Sequence, residues 1–85
     1  MNAKQIEKEG WELMYIYPEG DCVFQKGTKD DGYELVYSFK TKLISIARLD
    51  YFELDDRYRR LNLFFHSIEC KNVRTLRTIC KLFKV

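Results

Sequence analysis

Histidine, proline and paired cysteines are scarce in this 85-residue chain, and each scarcity excludes something. Nucleophilic catalysis needs a base held beside a nucleophile, most often a histidine. The one histidine, His66, lies inside the apolar run Leu61-Asn62-Leu63-Phe64-Phe65-His66-Ser67-Ile68, where a packed ring is expected. No G-x-S-x-G, G-x-G-x-x-G or phosphate-loop pattern is present, so acyl transfer, dinucleotide binding and nucleotide hydrolysis have no motif behind them. Cys22, Cys70 and Cys80 form an odd set with no C-x-x-C pair. That pattern predicts free thiols in a reducing compartment. Grouping His66 and Cys70 with Cys80 or Cys22 matches no paired zinc-ligand spacing, so neither a metal nor another cofactor is expected. No apolar run approaches the roughly 18 residues that span a bilayer, and residues 1–9 lack the apolar stretch of a signal peptide. A cytoplasmic protein with no membrane partner is the expectation.

Apolar and aromatic residues are plentiful. The chain is 46% hydrophobic and 33% charged, and six Tyr, six Phe and one Trp bring the aromatic share to 15%. Disordered segments are poor in such residues. At this length the chain has room for one core, so residues 1–85 are read as a single domain. The net charge is only +2, but it is unevenly spread. Residues 1–34 hold eight acids against four bases (net −4), residues 35–56 four against three (net −1), and residues 57–85 one against eight (net +7). A chain polarised in this way can present an acidic face and a basic face.

The pattern along the chain changes period twice. Over residues 2–9 a short helix is predicted: Asn2 can cap, Gln5 stands at capping-box spacing, and Gly10 supplies the stop. From Trp11 the period becomes 2, with Trp11, Leu13, Tyr15 and Tyr17 forming one apolar face of a first strand. Pro18-Glu19-Gly20-Asp21 supplies a turn, residues 22–26 a second strand, and residues 28–32 another turn. A third strand covers Tyr33 to Phe39, Lys40-Thr41-Lys42 turns the chain, and a fourth strand runs from Leu43 to Leu49. Residues 50–60, charged and rich in tyrosine, read mostly as loop before a fifth strand at 61–68. Val73, Leu76, Ile79, Cys80, Leu82 and Phe83 then recur at helical spacing, with Asn72 as the preferred N-cap, Ser67 as the alternative, and Arg74, Arg77, Lys81 and Lys84 as a basic stripe. The expected fold is α+β in the order α-β-β-β-β-β-α. An antiparallel meander of four or five strands carries both helices on one face, because short links forbid parallel crossovers. Leu76, Ile79, Cys80 and Phe83 are expected to be buried against it.

Three function classes then compete. Glu69-Cys70-Lys71, preceded by Asp50, Asp55 and Asp56, resembles the E-x-K element of the metal-dependent PD-(D/E)xK nucleases, without their Pro-Asp pair. In those nucleases two carboxylates hold a divalent ion while the lysine helps activate water. A nuclease-like activity is therefore the remote alternative. The stripe Arg74, Arg77, Lys81 and Lys84, reinforced by Arg57, Arg59, Arg60 and Lys71, suits nucleic-acid phosphates. A small nucleic-acid-binding regulator is the nearer alternative.

The arrangement as a whole resembles the small accessory proteins of phages and prophages of low-GC Gram-positive bacteria. The residues that carry the resemblance are Gly10-Trp11 after a short helix, the strand Tyr33-Glu34-Leu35-Val36-Tyr37-Ser38-Phe39, and the closing helix Asn72 to Phe83. It implies a non-enzymatic binding module in a host bacterial cell, acting on a host or phage macromolecule and, in some such proteins, inhibiting a defence effector of the CRISPR type. A protein partner is expected first and nucleic acid second, with homodimerisation through a strand edge as a third reading. The candidate surfaces are the basic helix edge and the acidic segment Asp50, Glu53, Asp55 and Asp56.

Overall fold

The first helix, α1 (Ala3–Lys8), forms because both of its ends are closed by side chains that the sequence supplies. Asn2 accepts from the Gln5 backbone N–H at 2.9 Å, and Gln5 returns the bond to the Asn2 N–H at 2.8 Å, giving a complete capping box. Gly10 ends the helix at φ +95°, a conformation that a side chain would strain, and a Cβ there would also lie 3.3 Å from the Lys26 side chain. Six residues cannot sustain a helix unaided. Docking holds it: Ile6 is fully buried, and Lys26 donates to the Glu9 carbonyl at 3.1 Å, placing a cation on the helix's negative end.

A computed structural model describes the backbone of residues 1–27, 32–52 and 57–85, and the side chains of residues 1–27, 32–49 and 67–85. Five strands follow α1: β1 (Glu12–Ile16), β2 (Asp21–Gly27), β3 (Gly32–Ser38), β4 (Leu43–Phe52) and β5 (Arg57–Glu69). They pair antiparallel in chain order, β1-β2-β3-β4-β5, and α2 (Val73–Phe83) completes the chain. This is the expected meander. Pro18-Glu19-Gly20 forms the first hairpin loop, with the Tyr17 N–H donating to the Asp21 carbonyl at 2.8 Å and Gly20 at φ +101°. Between β3 and β4 the Lys42 N–H donates to the Ser38 carbonyl at 2.8 Å, and Lys42 itself adopts φ 63°.

The expected loop at 50–60 is corrected by the ladder. β4 continues to Phe52 and β5 starts at Arg57, with Asp50 opposite Arg59 and Tyr51 opposite Tyr58. Residues 53–56 lie outside the described residues. The pairing also slips three times, between Ile44 and Ile46, between Ile46 and Ala47, and between Arg48 and Leu49. These bulges account for β5 being 13 residues long against 10 in β4, and they increase the local twist of the sheet.

Directly opposed residues share a face of the sheet. One face is thus built from the rows Cys22–Tyr37–Ile44 and Phe24–Leu35–Ile46. Both helices pack on it: Ile6 of α1 and Leu76, Ile79 and Cys80 of α2 join these rows, Trp11 and Cys70 in one apolar cluster. Asn72 caps α2 by accepting from the Thr75 N–H at 2.9 Å, and Lys84 closes it in the left-handed conformation. One expected core residue is not buried. Phe83, the last residue of α2, is 39% exposed, and Val85 beyond the cap packs against the core in its place.

Leu76 and Leu82 belong to the same helix but have opposite surroundings. Leu76→Ala should cost about 2–5 kcal/mol through lost transfer energy and the cavity left behind. Leu82→Ala should stay within about 0.5 kcal/mol. Urea denaturation of both variants measures the difference, and equal midpoints would show that α2 is not docked through Leu76.

Candidate interaction surfaces

The basic edge of α2 is not four equivalent cations. Arg77 makes a two-pronged contact with the Glu9 carboxylate, Nε to Oε1 and Nη2 to Oε2, the latter at 3.3 Å. The Arg77 hydrogen bond, ahead of its charge and that of Lys26, holds the Glu9 carboxyl below the usual carboxylate range, while Glu9 raises Arg77 in return. Arg77 therefore fastens α2 to the end of α1. Arg74, Lys81 and Lys84 are exposed and have no ion-pair partner among the described residues. Of the other predicted residues, Arg57, Arg59, Arg60 and Asp50 are placed only by backbone register, and Glu53, Asp55 and Asp56 lie outside the described residues.

The E-x-K element is also placed. Glu69 and Lys71 are exposed and bond to each other at 2.9 Å, which raises the lysine through that hydrogen bond and the carboxylate's charge. Glu69 stands opposite Leu43 at one end of the β4–β5 ladder and Asp50 opposite Arg59 towards the other. Seven residues of strand separate the two positions on β4, roughly 20 Å of backbone. The fold thus does not bring the Asp50 position next to the triplet.

The three cysteines are buried and unpaired. Cys22 lies on β2, Cys70 between β5 and α2, and Cys80 on α2's inner face. No group of three or more His, Cys, Asp or Glu side chains comes together to hold a metal ion among the described residues. The His66 side chain is outside them. Two buried polar atoms have no hydrogen-bond partner, the Tyr37 hydroxyl and the Trp11 indole N–H. The indole nonetheless lies close enough to the Cys80 sulfur to favour its thiolate slightly against the larger, opposing effect of burial.

The feature that sequence reasoning missed is on β1. Leu13 pairs with Phe24, but Tyr15, not Met14, pairs with Val23, so the strand bulges at Met14 and the alternation changes face. Leu13 stays against the core, while Tyr15 and Tyr17 leave the face they were expected to share with it. Met14, Tyr15, Ile16 and Tyr17 are 45%, 50%, 60% and 39% exposed. The two tyrosine rings meet edge to face at 4.9 Å and their hydroxyls bond at 2.8 Å. That bond, then partial burial and the nearby Tyr15, Glu34 and Glu19 charges, pushes the Tyr17 hydroxyl up. A signal was available in the sequence: the first strand of a meander has a neighbour on one side only, so its residues stand at an edge.

Among the described residues no helix is long and apolar enough to cross a membrane. Comparison of the chain with protein-family models, with curated proteins and with solved structures returns no match.

Burial raises all three thiols above their ordinary range, Cys80 against the opposing effects of Lys26 and Trp11. A group that binds its proton more tightly when folded makes stability fall as pH rises, starting where the unfolded thiol ionises, about 8.5. Denaturation midpoints should be level from about pH 6 to about 8, between the carboxylate and thiol ranges, and decline above that, and Cys70→Ala should show a shallower decline. An alkaline decline unchanged in that variant would show that Cys70 is not its source.

Proposed function

We propose that this chain is a non-enzymatic binding module whose partner is another protein. The observation that supports this reading is β1, an edge strand exposing Met14, Tyr15, Ile16 and Tyr17 in succession. By register Ile16 shares the face of Cys22 and Tyr15 that of Val23, so the edge exposes apolar side chains on both faces of the sheet, and exposed apolar surface of this kind marks interaction sites. Tyrosine and methionine are also side chains enriched where proteins meet. The resemblance to phage accessory proteins favours a host or phage macromolecule as the target and inhibition of a bacterial defence effector as the role.

Direct binding of nucleic acid is the second reading, favoured by the exposed Arg74, Lys81 and Lys84. It is weaker because Arg77, the fourth member of the stripe, is committed to Glu9, and because phosphate contacts gain affinity from the number of cations they engage.

The test is affinity capture from a bacterial lysate with and without nuclease. A protein partner retained after nuclease treatment and lost in Ile16→Asp is the expected result. The combined Arg74→Gln, Lys81→Gln and Lys84→Gln variant should keep the fold and the partner. Tight DNA or RNA binding that persists at physiological salt and disappears in the glutamine variant would replace the protein-binding reading with the nucleic-acid one.

A further inference from the structure

The open side of β1 has a defined chemistry. The Tyr17 N–H donates inward to Asp21, and Ile16 stands opposite Cys22 at the next position. In an antiparallel ladder these positions alternate, so the Ile16 N–H and C=O point away from β2 to the unpaired edge. The stretch that can accept another strand is short. Pro18 has no N–H to offer, and the bulge at Met14 interrupts the alternation on the other side. Both devices limit open-ended strand addition. Affinity for an added segment must therefore come from side chains, with the Ile16 backbone supplying alignment.

The charges on β1 and its hairpin loop are of one sign. Residues 10–25 contain Glu12, Glu19 and Asp21 and no lysine or arginine. Glu19 and Glu34 lie close enough to the Tyr17 hydroxyl for their charges to raise it. Exposed aromatic rings with carboxylates nearby attract cations through both the ring face and the charge. Phosphate chains are repelled by the same set. A second copy is also disfavoured, because joining two β1 edges would bring two sets of the same carboxylates, Glu12, Glu19 and Asp21, to one interface with no cation of that stretch to offset them.

We propose that β1 is the docking strand for a short extended segment of a partner protein bearing arginine or lysine, with Ile16 aligning its backbone, Tyr15 and Tyr17 receiving its cations, and Glu12 and Glu19 flanking them. This inference rests on the protein-binding reading above and adds the chemistry of the partner.

The experiment titrates the whole chain with a capped synthetic peptide alternating arginine with valine, and with the same peptide carrying neutral citrulline for arginine, followed by amide chemical shifts and calorimetry. The arginine peptide should shift the Met14 and Ile16 amides, bind more weakly as salt rises, and bind at least about tenfold more tightly than the citrulline peptide. The double variant Tyr15→Ala, Tyr17→Ala should lose binding, and Tyr15→Phe, Tyr17→Phe should keep it, since the ring face is what the cation meets. Glu12→Gln with Glu19→Gln, which alters only exposed side chains, should weaken it independently. Equal binding of the two peptides, or none of either, would overturn the proposal. So would a concentration-dependent dimer that Ile16→Asp abolishes, which would assign the edge to a second copy. If lysate capture depends on Ile16 while the arginine peptide fails to bind, the protein-binding reading stands and the basic-segment inference falls.

Discussion

The packing of Ile6 and Leu76 onto one face of the sheet sets the conditions for the rest of this molecule. Each residue is fully buried, each comes from a different helix, and both meet the rows Cys22–Tyr37–Ile44 and Phe24–Leu35–Ile46. Neither helix buries much surface elsewhere. A six-residue helix gains little from its own hydrogen bonds, and the eleven-residue α2 is short of the length at which helices persist alone. The sheet therefore organises the helices, and the Glu9–Arg77 contact, spanning the two, works only once both are seated.

That division of labour separates stabilising charges from available ones. Arg77 and Lys26, which by sequence count towards a cationic surface, are engaged at the end of α1, one on the Glu9 carboxylate and the other on the Glu9 carbonyl. Lys26 also sits 5.4 Å from the centre of the Trp11 ring. The acidic side groups of β1 and its hairpin loop, Glu12 and Glu19, have no such duty among the described residues. The charge asymmetry of the chain thus survives folding most clearly around the β1 edge, where the exposed apolar side chains also are.

The parts legible in the sequence are those written in local chemistry. Asn2, Gln5 and Gly10 bound α1, Asn72 starts α2, and the period-2 runs between turn residues mark the strands and their antiparallel order. What escaped reading is set by pairing between segments. Nothing in Leu13-Met14-Tyr15 announces a bulge; the register against β2 makes one, and it moves Tyr15 and Tyr17 off the face their spacing implied. Asp50 to Arg60 lacks apolar alternation, yet the ladder carries β4 to Phe52 and begins β5 at Arg57, because a long hairpin continues pairing wherever its backbones remain in register. Phe83 keeps helical spacing but stands at the last position of α2, where Val85 after the cap packs on the core instead.

The contact between Glu9 and Arg77 joins positions 68 residues apart and lies over a core that needs Leu76, Ile79 and Cys80 to be complete. During synthesis the five strands emerge before α2 does, and the face that α2 covers has no lid until then. The ribosome adds roughly 5–20 residues per second, so for a brief interval the nascent chain presents Phe24, Leu35, Ile44 and Ile46 to solvent or to a chaperone. A pause or truncation ahead of residue 76 would lengthen that interval, making the timing of translation near the final helix a determinant of how much chain reaches the folded state.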